Sequence, residues 1–185
     1  YISAGLGISG GNLERDLSSA ISLAEKNKIN SNLFKTQQEI SFKRKNWIWE
    51  KFKKIRIQRR IEKIGLLGLT YKQNTSSLKN SPSLALLPKL KKYDINIYDP
   101  VAKLSKQFNW CSIASSCFEA IEGSDLLIIA TPWDEFKNLE LKKIVKKMRG
   151  KNIIDPFGIL SFEDIKKNKL TYYKLGKREL SNDFN

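Results

Sequence analysis

Residues 63–82, KIGLLGLTYKQNTSSLKNSP, constrain the fold more than any other stretch. Lys63 to Leu67 is a short, mostly apolar run closed by Gly68, the pattern of a buried parallel strand. Gly68 lets the chain turn tightly and bring backbone close to a ligand. The loop that follows carries Lys72 and Lys79. Ser81-Pro82 then opens a helix, with Ser81 as N-cap and Pro82 at the first helical position. A strand, a glycine turn, a loop with two cations and a helix N-terminus can together hold an anion. The plainer alternative is an ordinary strand-loop-helix connection, because the Gly-rich phosphate fingerprint is missing from this stretch.

From Lys63 onward strands and helices alternate. Strands are predicted at 63–67, 96–98, 110–113, 126–130, 152–155 and 172–174. Helices are predicted at 82–92, 117–122, 139–148 and 162–167, with Pro88 kinking the first and Gly150 at an expected helix C-cap. This alternation predicts an α/β, Rossmann-like, doubly wound parallel sheet of strand order 3-2-1-4-5-6. Ligands of such sheets bind at the carboxyl ends of the strands, beside the order reversal between strands 1 and 4. Here that places residues 68–72 on one side and 131–133 on the other.

The first third is helical instead. Residues 1–12 form a glycine-rich loop. A helix is predicted over 13–26, where Leu17, Ala20, Ile21 and Ala24 recur at helical spacing, and Asn27 and Asn30 end it. A second, longer helix is predicted over 31–59, with Ile40, Trp47, Ile48, Phe52 and Ile55 as its apolar stripe. A helix this long beside a small domain needs something to lie against. Trp47, Trp49 and Phe52 cluster within two turns, either as the anchor of a homodimer or as a cap on the sheet domain's own core. The chain thus divides into a helical, dimerising segment at 1–60 and a sheet domain at 61–185, whose tail after Arg178 is expected to fray.

Composition bounds the partners. The chain has 185 residues, 41% of them hydrophobic, enough for one cored domain with an appendage. No apolar run reaches the length of a membrane-spanning helix, and the start lacks the charged and apolar regions of a signal peptide. The chain opens in mid-motif, as a piece of a longer protein would. Its two cysteines, Cys111 and Cys117, can pair but make no disulfide framework, so the default location is the cytoplasm. With no histidine, His-based acid/base chemistry and His metal ligands are excluded within this chain, and no metal site is read from it. The net charge of +15 comes from 34 cations against 19 anions. No nucleic-acid motif accompanies it, so it reads as a lysine-solvated surface that would also favour a bound diphosphate.

Three features bear on chemistry. Gly5-Leu6-Gly7-Ile8-Ser9-Gly10 matches G-x-G-x-x-G literally, yet no strand precedes it and no second strand with an acidic end follows. A glycine loop approaching a sugar or phosphate fits better, which makes Gly5, Gly7, Ile8, Ser9 and Gly10 substrate-binding candidates. Asp99 ends strand 2, where a ribose-binding carboxylate sits in dinucleotide folds, but an aspartate closing a strand before a turn is the preferred reading. Asp16 is either a general base or substrate orienter, or a first-turn carboxylate facing the helix dipole. Spacing does not separate these two.

The motifs together resemble the UDP-glucose/GDP-mannose dehydrogenase family, in its central helical segment and its C-terminal nucleotide-sugar-binding domain. GLGISGGNLERD is similar to the family's GPGFGGSCFPKD, and LGLTYKQNTSSLKNSP to LGLAFKPNTDDLRESP. INIYDP, EAIEGSDLLIIATPWDEF and NIIDP follow in the family's order and spacing. The resemblance covers nearly the whole chain. It implies oxidation of a sugar C6 alcohol to a carboxylate in two NAD-dependent steps, through a thiohemiacetal on a catalytic cysteine. That cysteine aligns with Asn12, and an amide is no nucleophile. Asp16 matches the catalytic aspartate, with Arg15 in place of its lysine neighbour. Lys72 matches the lysine that contacts the nucleotide-sugar. Lys79, taken as cofactor-binding, stands where an arginine is usual, keeping the charge but losing the bidentate fork. Ser76-Ser77 replace an acidic pair, and Phe157 replaces an arginine. The expectation is a C-terminal portion of a nucleotide-sugar dehydrogenase homologue. It would bind a UDP- or GDP-sugar through the loop at 68–79 and dimerise through 31–59. NAD would be held mainly by an N-terminal domain outside these residues. The rival reading is a non-catalytic nucleotide-sugar sensor or scaffold of the same fold.

Overall fold

A computed structural model of the chain describes residues 5–176, so the expectation for the tail after Arg178 lies outside the described residues. Six strands form one sheet: β1 Lys63–Leu67, β2 Asp94–Tyr98, β3 Ser112–Ile113, β4 Leu126–Ile129, β5 Asn152–Ile154 and β6 Thr171–Tyr173. Their order is β3-β2-β1-β4-β5-β6 and every pairing is parallel, as the strand-helix alternation predicts. In register, Leu66 of β1 stands between Ile97 of β2 and Ile128 of β4.

Because side chains alternate across a strand, the apolar runs feed two cores. Ile64, Leu66, Ile95, Ile97, Leu126, Ile128 and Ile154 face one side. There they meet Ile48, Phe52 and Ile55 of helix α3 (Trp47–Gln58) and Leu86 of helix α4 (Pro82–Leu86). Leu67, Leu127, Ile129 and Ile153 face the other side. They are covered by α5 (Cys117–Ile121), α6 (Asp134–Lys137), α7 (Leu141–Lys147) and α8 (Phe162–Lys167). Ile48, Phe52 and Ile55 are at most 1% exposed, and each fully buried side chain contributes about 1.5–3 kcal/mol. Trp47 and Trp49 pack partly buried against the same core. The aromatic cluster therefore caps the sheet domain, the second of the two alternatives.

The remaining two helices, α1 (Leu13–Lys26) and α2 (Asn32–Lys45), form a hairpin. Its arms are stitched by Glu25–Lys35 near the turn, Ser18–Gln38 midway, and Glu14–Lys45 at the far end.

Several expected boundaries move. The helix predicted over 31–59 is two helices, broken at Asn46, whose side-chain amide donates to the Phe42 carbonyl at 3.2 Å and so competes with the helical ladder. The helix predicted over 82–92 stays α-helical only to Leu86 and continues as a 3₁₀ turn over Leu87–Leu90, since Pro88 has no N–H to give. Gly150 is no left-handed helix cap: α7 gives way at Met148 to extended backbone. A side chain at Gly150 would instead run into the Asp125 carbonyl. Cys111 and Cys117 are both free thiols. No described helix is long and apolar enough to cross a membrane.

Candidate functional site

The connection after β1 is held by side chains that are short and polar. Gly68 has φ +96°, and a Cβ there would stand 2.5 Å from Cβ of Thr131. Glycine is thus needed where the β1 and β4 ends meet. Thr131 Oγ1 donates to the Thr70 carbonyl at 2.6 Å. Ser81 Oγ donates to the Leu69 carbonyl at 2.5 Å and accepts from Ser83 N, and Ser83 Oγ donates to the Gly68 carbonyl. Ser81 is the N-cap and Pro82 the first residue of α4, as expected.

Asp99, at the end of β2, ties this loop to its neighbours. Its Oδ2 accepts from Leu69 N (2.7 Å), Thr70 N (3.2 Å) and Trp133 Nε1 (3.2 Å). Its Oδ1 accepts from Val101 N and Ala102 N. Five donors occupy this carboxylate, so it is a structural strand-end aspartate and is not available to a ribose diol. The sheet therefore does not fit a dinucleotide cofactor, and no NAD site is built from it.

The glycine loop lies across the same carboxyl end of the sheet. On one side Ser41 of α2 holds it: Ile8 N donates to Ser41 Oγ at 2.8 Å, and a Cβ at Gly7 would lie 2.5 Å from the Ser41 carbonyl oxygen. On the other side Gly10 N donates to the Lys79 carbonyl, and Asn80 Nδ2 donates to the Gly10 carbonyl at 2.7 Å. A Cβ at Gly10 would meet the Tyr71 ring at 2.9 Å, and one at Gly11 would meet the Lys79 side chain at 2.7 Å. The loop is small-residued because neighbours press on it from both sides.

Between the glycine loop and the sheet lies a cleft of about 220 Å³. Gly5, Gly7 and Ser9 line it from one side, Tyr71, Lys72 and Gln73 from the β1 connection, and Pro132 and Phe157 from the β4 and β5 ends. Lys72 is exposed, with Nζ 5.7 Å from the Tyr71 ring centroid. Phe157 is positioned by Asp155, whose Oδ1 accepts from Phe157 N and Gly158 N and whose Oδ2 accepts from Leu160 N and the Tyr172 hydroxyl at 2.6 Å. The cleft combines one cation, two aromatic rings and an open backbone loop. It suits an anionic ligand carrying a flat ring.

Of the residues singled out in the sequence, the structure brings Gly5, Gly7, Ser9 and Lys72 to this cleft. Ile8 and Gly10 anchor the loop behind it. Lys79 lies along Gly11, beside Asn12. Asn12 is exposed, and its side chain does not cap α1. Asp16 is exposed in the first turn of α1 and paired with Arg15 at 2.9 Å. Tyr71 and Gln73 were not singled out; their position on either side of Lys72 was the available signal.

The two thiols offer no substitute nucleophile. Burial pushes Cys111 up to about 11. Burial, then the hydrogen bond it donates to Glu135, pushes Cys117 further still. Both therefore stay protonated near neutrality, away from the glycine loop.

A larger cavity, about 460 Å³, opens at the opposite, amino ends of the strands, lined by Arg59, Arg60, Lys151, Lys169 and Asp125. Asp125 is there fully engaged by Arg149 and by Glu62 N and Lys63 N. Ligands of doubly wound sheets bind at the carboxyl ends, so the smaller cleft is the functional candidate.

A parallel sheet reversing its order at β1 and β4, with a cleft at that reversal, defines a Rossmann-like ligand-binding domain. Residues 65–162, just over half of the chain, match the model of the UDP-glucose/GDP-mannose dehydrogenase family, UDP binding domain, and the chain belongs to that family. It is 32% identical over 159 residues to UDP-N-acetyl-D-mannosamine dehydrogenase of Methanocaldococcus jannaschii, covering 83% of this chain and 36% of that protein. It is 28% identical over 185 residues to UDP-glucose 6-dehydrogenase of Rickettsia prowazekii, covering 96% and 43%. The solved structure of UDP-D-ManNAc dehydrogenase from Pyrococcus horikoshii superposes with a TM-score of 0.74 at 26% identity, covering 93% of this chain and 39% of that one. The chain thus spans about two fifths of the length of these relatives.

Proposed function

We propose that this chain is the nucleotide-sugar-binding portion of an NAD-dependent UDP- or GDP-sugar 6-dehydrogenase homologue acting in the cytoplasm. The cleft at the carboxyl ends of β1, β4 and β5 carries this reading, because it places Lys72 beside a glycine loop that a sugar diphosphate can approach closely. Gly5, Gly7, Ile8, Ser9 and Gly10 form or brace the substrate side. Lys79, at the outer edge beside Asn12, faces a cofactor bound mainly by residues outside this chain. The segment 31–59 makes a homodimer, with α2 as its contact. Nucleic acid and membrane are not partners.

Titration of UDP-glucose into the chain tests the binding half. Lys72→Ala is expected to weaken it roughly tenfold to a hundredfold, the worth of one charge-assisted contact. No UDP-sugar or GDP-sugar binding by the unmodified chain would overturn the reading.

Asn12 in the thiol's alignment position, and Phe157 in the arginine's, favour a second reading in which the parent stops after one oxidation or only senses a nucleotide-sugar. Asp16, at the position of the family's aspartate, would then orient a substrate hydroxyl. NADH released per UDP-sugar by the full-length protein separates these cases. One equivalent marks a truncated oxidation, none with intact binding marks a sensor, and two with acid product restore the complete reaction.

A further inference from the structure

Among the described residues, the buried side-chain polar atoms without a hydrogen-bond partner are Thr70 Oγ1 and Gln73 Oε1. Both lie in the short connection after β1, around Lys72. Buried acceptors left unpaired cost about 1–3 kcal/mol each, so they are scarce and each calls for a reason, such as a partner that binds there. Gln73 is also a lining residue of the cleft, in company with the rings of Tyr71 and Phe157 and with Pro132. Gln73 stands where the quoted family motif has proline, and Phe157 where the family has an arginine.

Resting on the proposed nucleotide-sugar site, we propose that Gln73 is its base-reading residue. Its carbonyl accepts the ring N–H of a uracil or guanine base that lies against Tyr71 and Phe157. The terminal torsion of a glutamine is broad and soft, so its carbonyl can turn from the loop interior to the cleft and exchange no partner for one. A base with a protonated ring nitrogen, N3 of uracil or N1 of guanine, supplies the missing donor. Cytosine and adenine present a lone pair at the same position, which the amide meets only by turning Nε2 to the base and leaving Oε1 in the loop interior, where it has no partner. Discrimination of this kind is strong, because the rejected base leaves a buried polar group unsatisfied. The aromatic neighbours contribute stacking that every base shares, which leaves the choice of base to Gln73. Lys72, next in the chain, is placed to take the phosphate.

Calorimetric titration of UDP and CDP into the chain tests this, since the two differ only on the edge that Gln73 would read. UDP is expected to bind about tenfold or more tighter than CDP. Gln73→Leu should bring that ratio close to one while holding the thermal midpoint of the free chain at or above its original value, because an orphaned buried acceptor has been removed. Gln73→Glu keeps an acceptor and should keep the preference, although its charge lowers affinity for both diphosphates. Phe157→Ala should weaken both alike. Equal affinity for UDP and CDP, or a ratio untouched by Gln73→Leu, overturns the assignment of Gln73 and leaves the nucleotide-sugar site standing. Binding of neither UDP nor GDP overturns the site itself, and the role of Gln73 with it.

Discussion

Asp99, Asp125 and Asp155 each stand at a strand end and each gather several N–H donors. Asp99 was legible in the sequence as an aspartate closing a strand before Pro100. Its bond to Trp133, 34 residues on, was not, because nothing local reports a partner in another crossover. Asp99→Ala would leave the Leu69 and Thr70 amides without their acceptor. It is expected to cost about 2–4 kcal/mol in urea unfolding and to weaken UDP binding through the loop. Asp125 gives a pH signature. Its hydrogen bonds with Arg149 hold its carboxyl down to about 2, aided by the Glu62 and Lys63 amides and opposed by burial. A carboxyl depressed in the folded state stabilises above its unfolded pKa and loses that contribution as pH falls from about 4 to about 2. The contribution is about 2 kcal/mol or less, since Arg149 is half exposed. Urea midpoints measured between pH 2 and 6 should fall more steeply for the unmodified chain than for Asp125→Asn. Parallel curves would refute this origin.

At the scale of elements, the inner strands β1, β4 and β5 were legible because a parallel strand buried on both faces is short and mostly apolar. β2 and β3, which carry exposed positions, were placed by the alternation with helices. The cap at Ser81-Pro82 was legible too, being a matter of neighbouring residues. The break between α2 and α3 was hidden, because the helical pattern runs through it. It depends on how one asparagine meets the Phe42 carbonyl and Lys89. α6 was also missed, since four residues carry too little periodicity to register. Gly68 sits where element and site meet. Gly68→Ala would force a side chain into left-handed backbone and against Thr131, and is expected to cost more than about 2 kcal/mol. It should also abolish UDP binding, because the β1 and β4 ends that flank the cleft would part. Unchanged UDP affinity in a folded Gly68→Ala chain would show that the cleft does not depend on this contact.

For the whole molecule, the cleft joins segments near residues 5–9, 71–73 and 157, which no periodicity could bring together. Only the resemblance between motifs linked them in advance. The aromatic cluster weighed as a dimer anchor packs on the sheet core. Phe52 is fully buried in the chain's own core, with Trp47 and Trp49 partly buried against it. Large apolar side chains left in water gather on the helical hairpin instead: Leu33, Ile40 and Phe42 on α2, and Leu13 and Leu23 on α1. Leu33 and Ile40, seven residues apart, share one face of α2, and exposed large apolar side chains on such a face favour association. If the proposed homodimer forms, α2 supplies its apolar contact, and Ile40→Glu with Phe42→Glu should convert it to monomer. Both residues lie outside the two sheet cores, so the far-ultraviolet dichroism and the affinity for UDP should hold while the mass falls by half in light scattering. A dimer that survives both charges places the interface elsewhere, and a chain monomeric before mutation at every accessible concentration removes the homodimer from this segment.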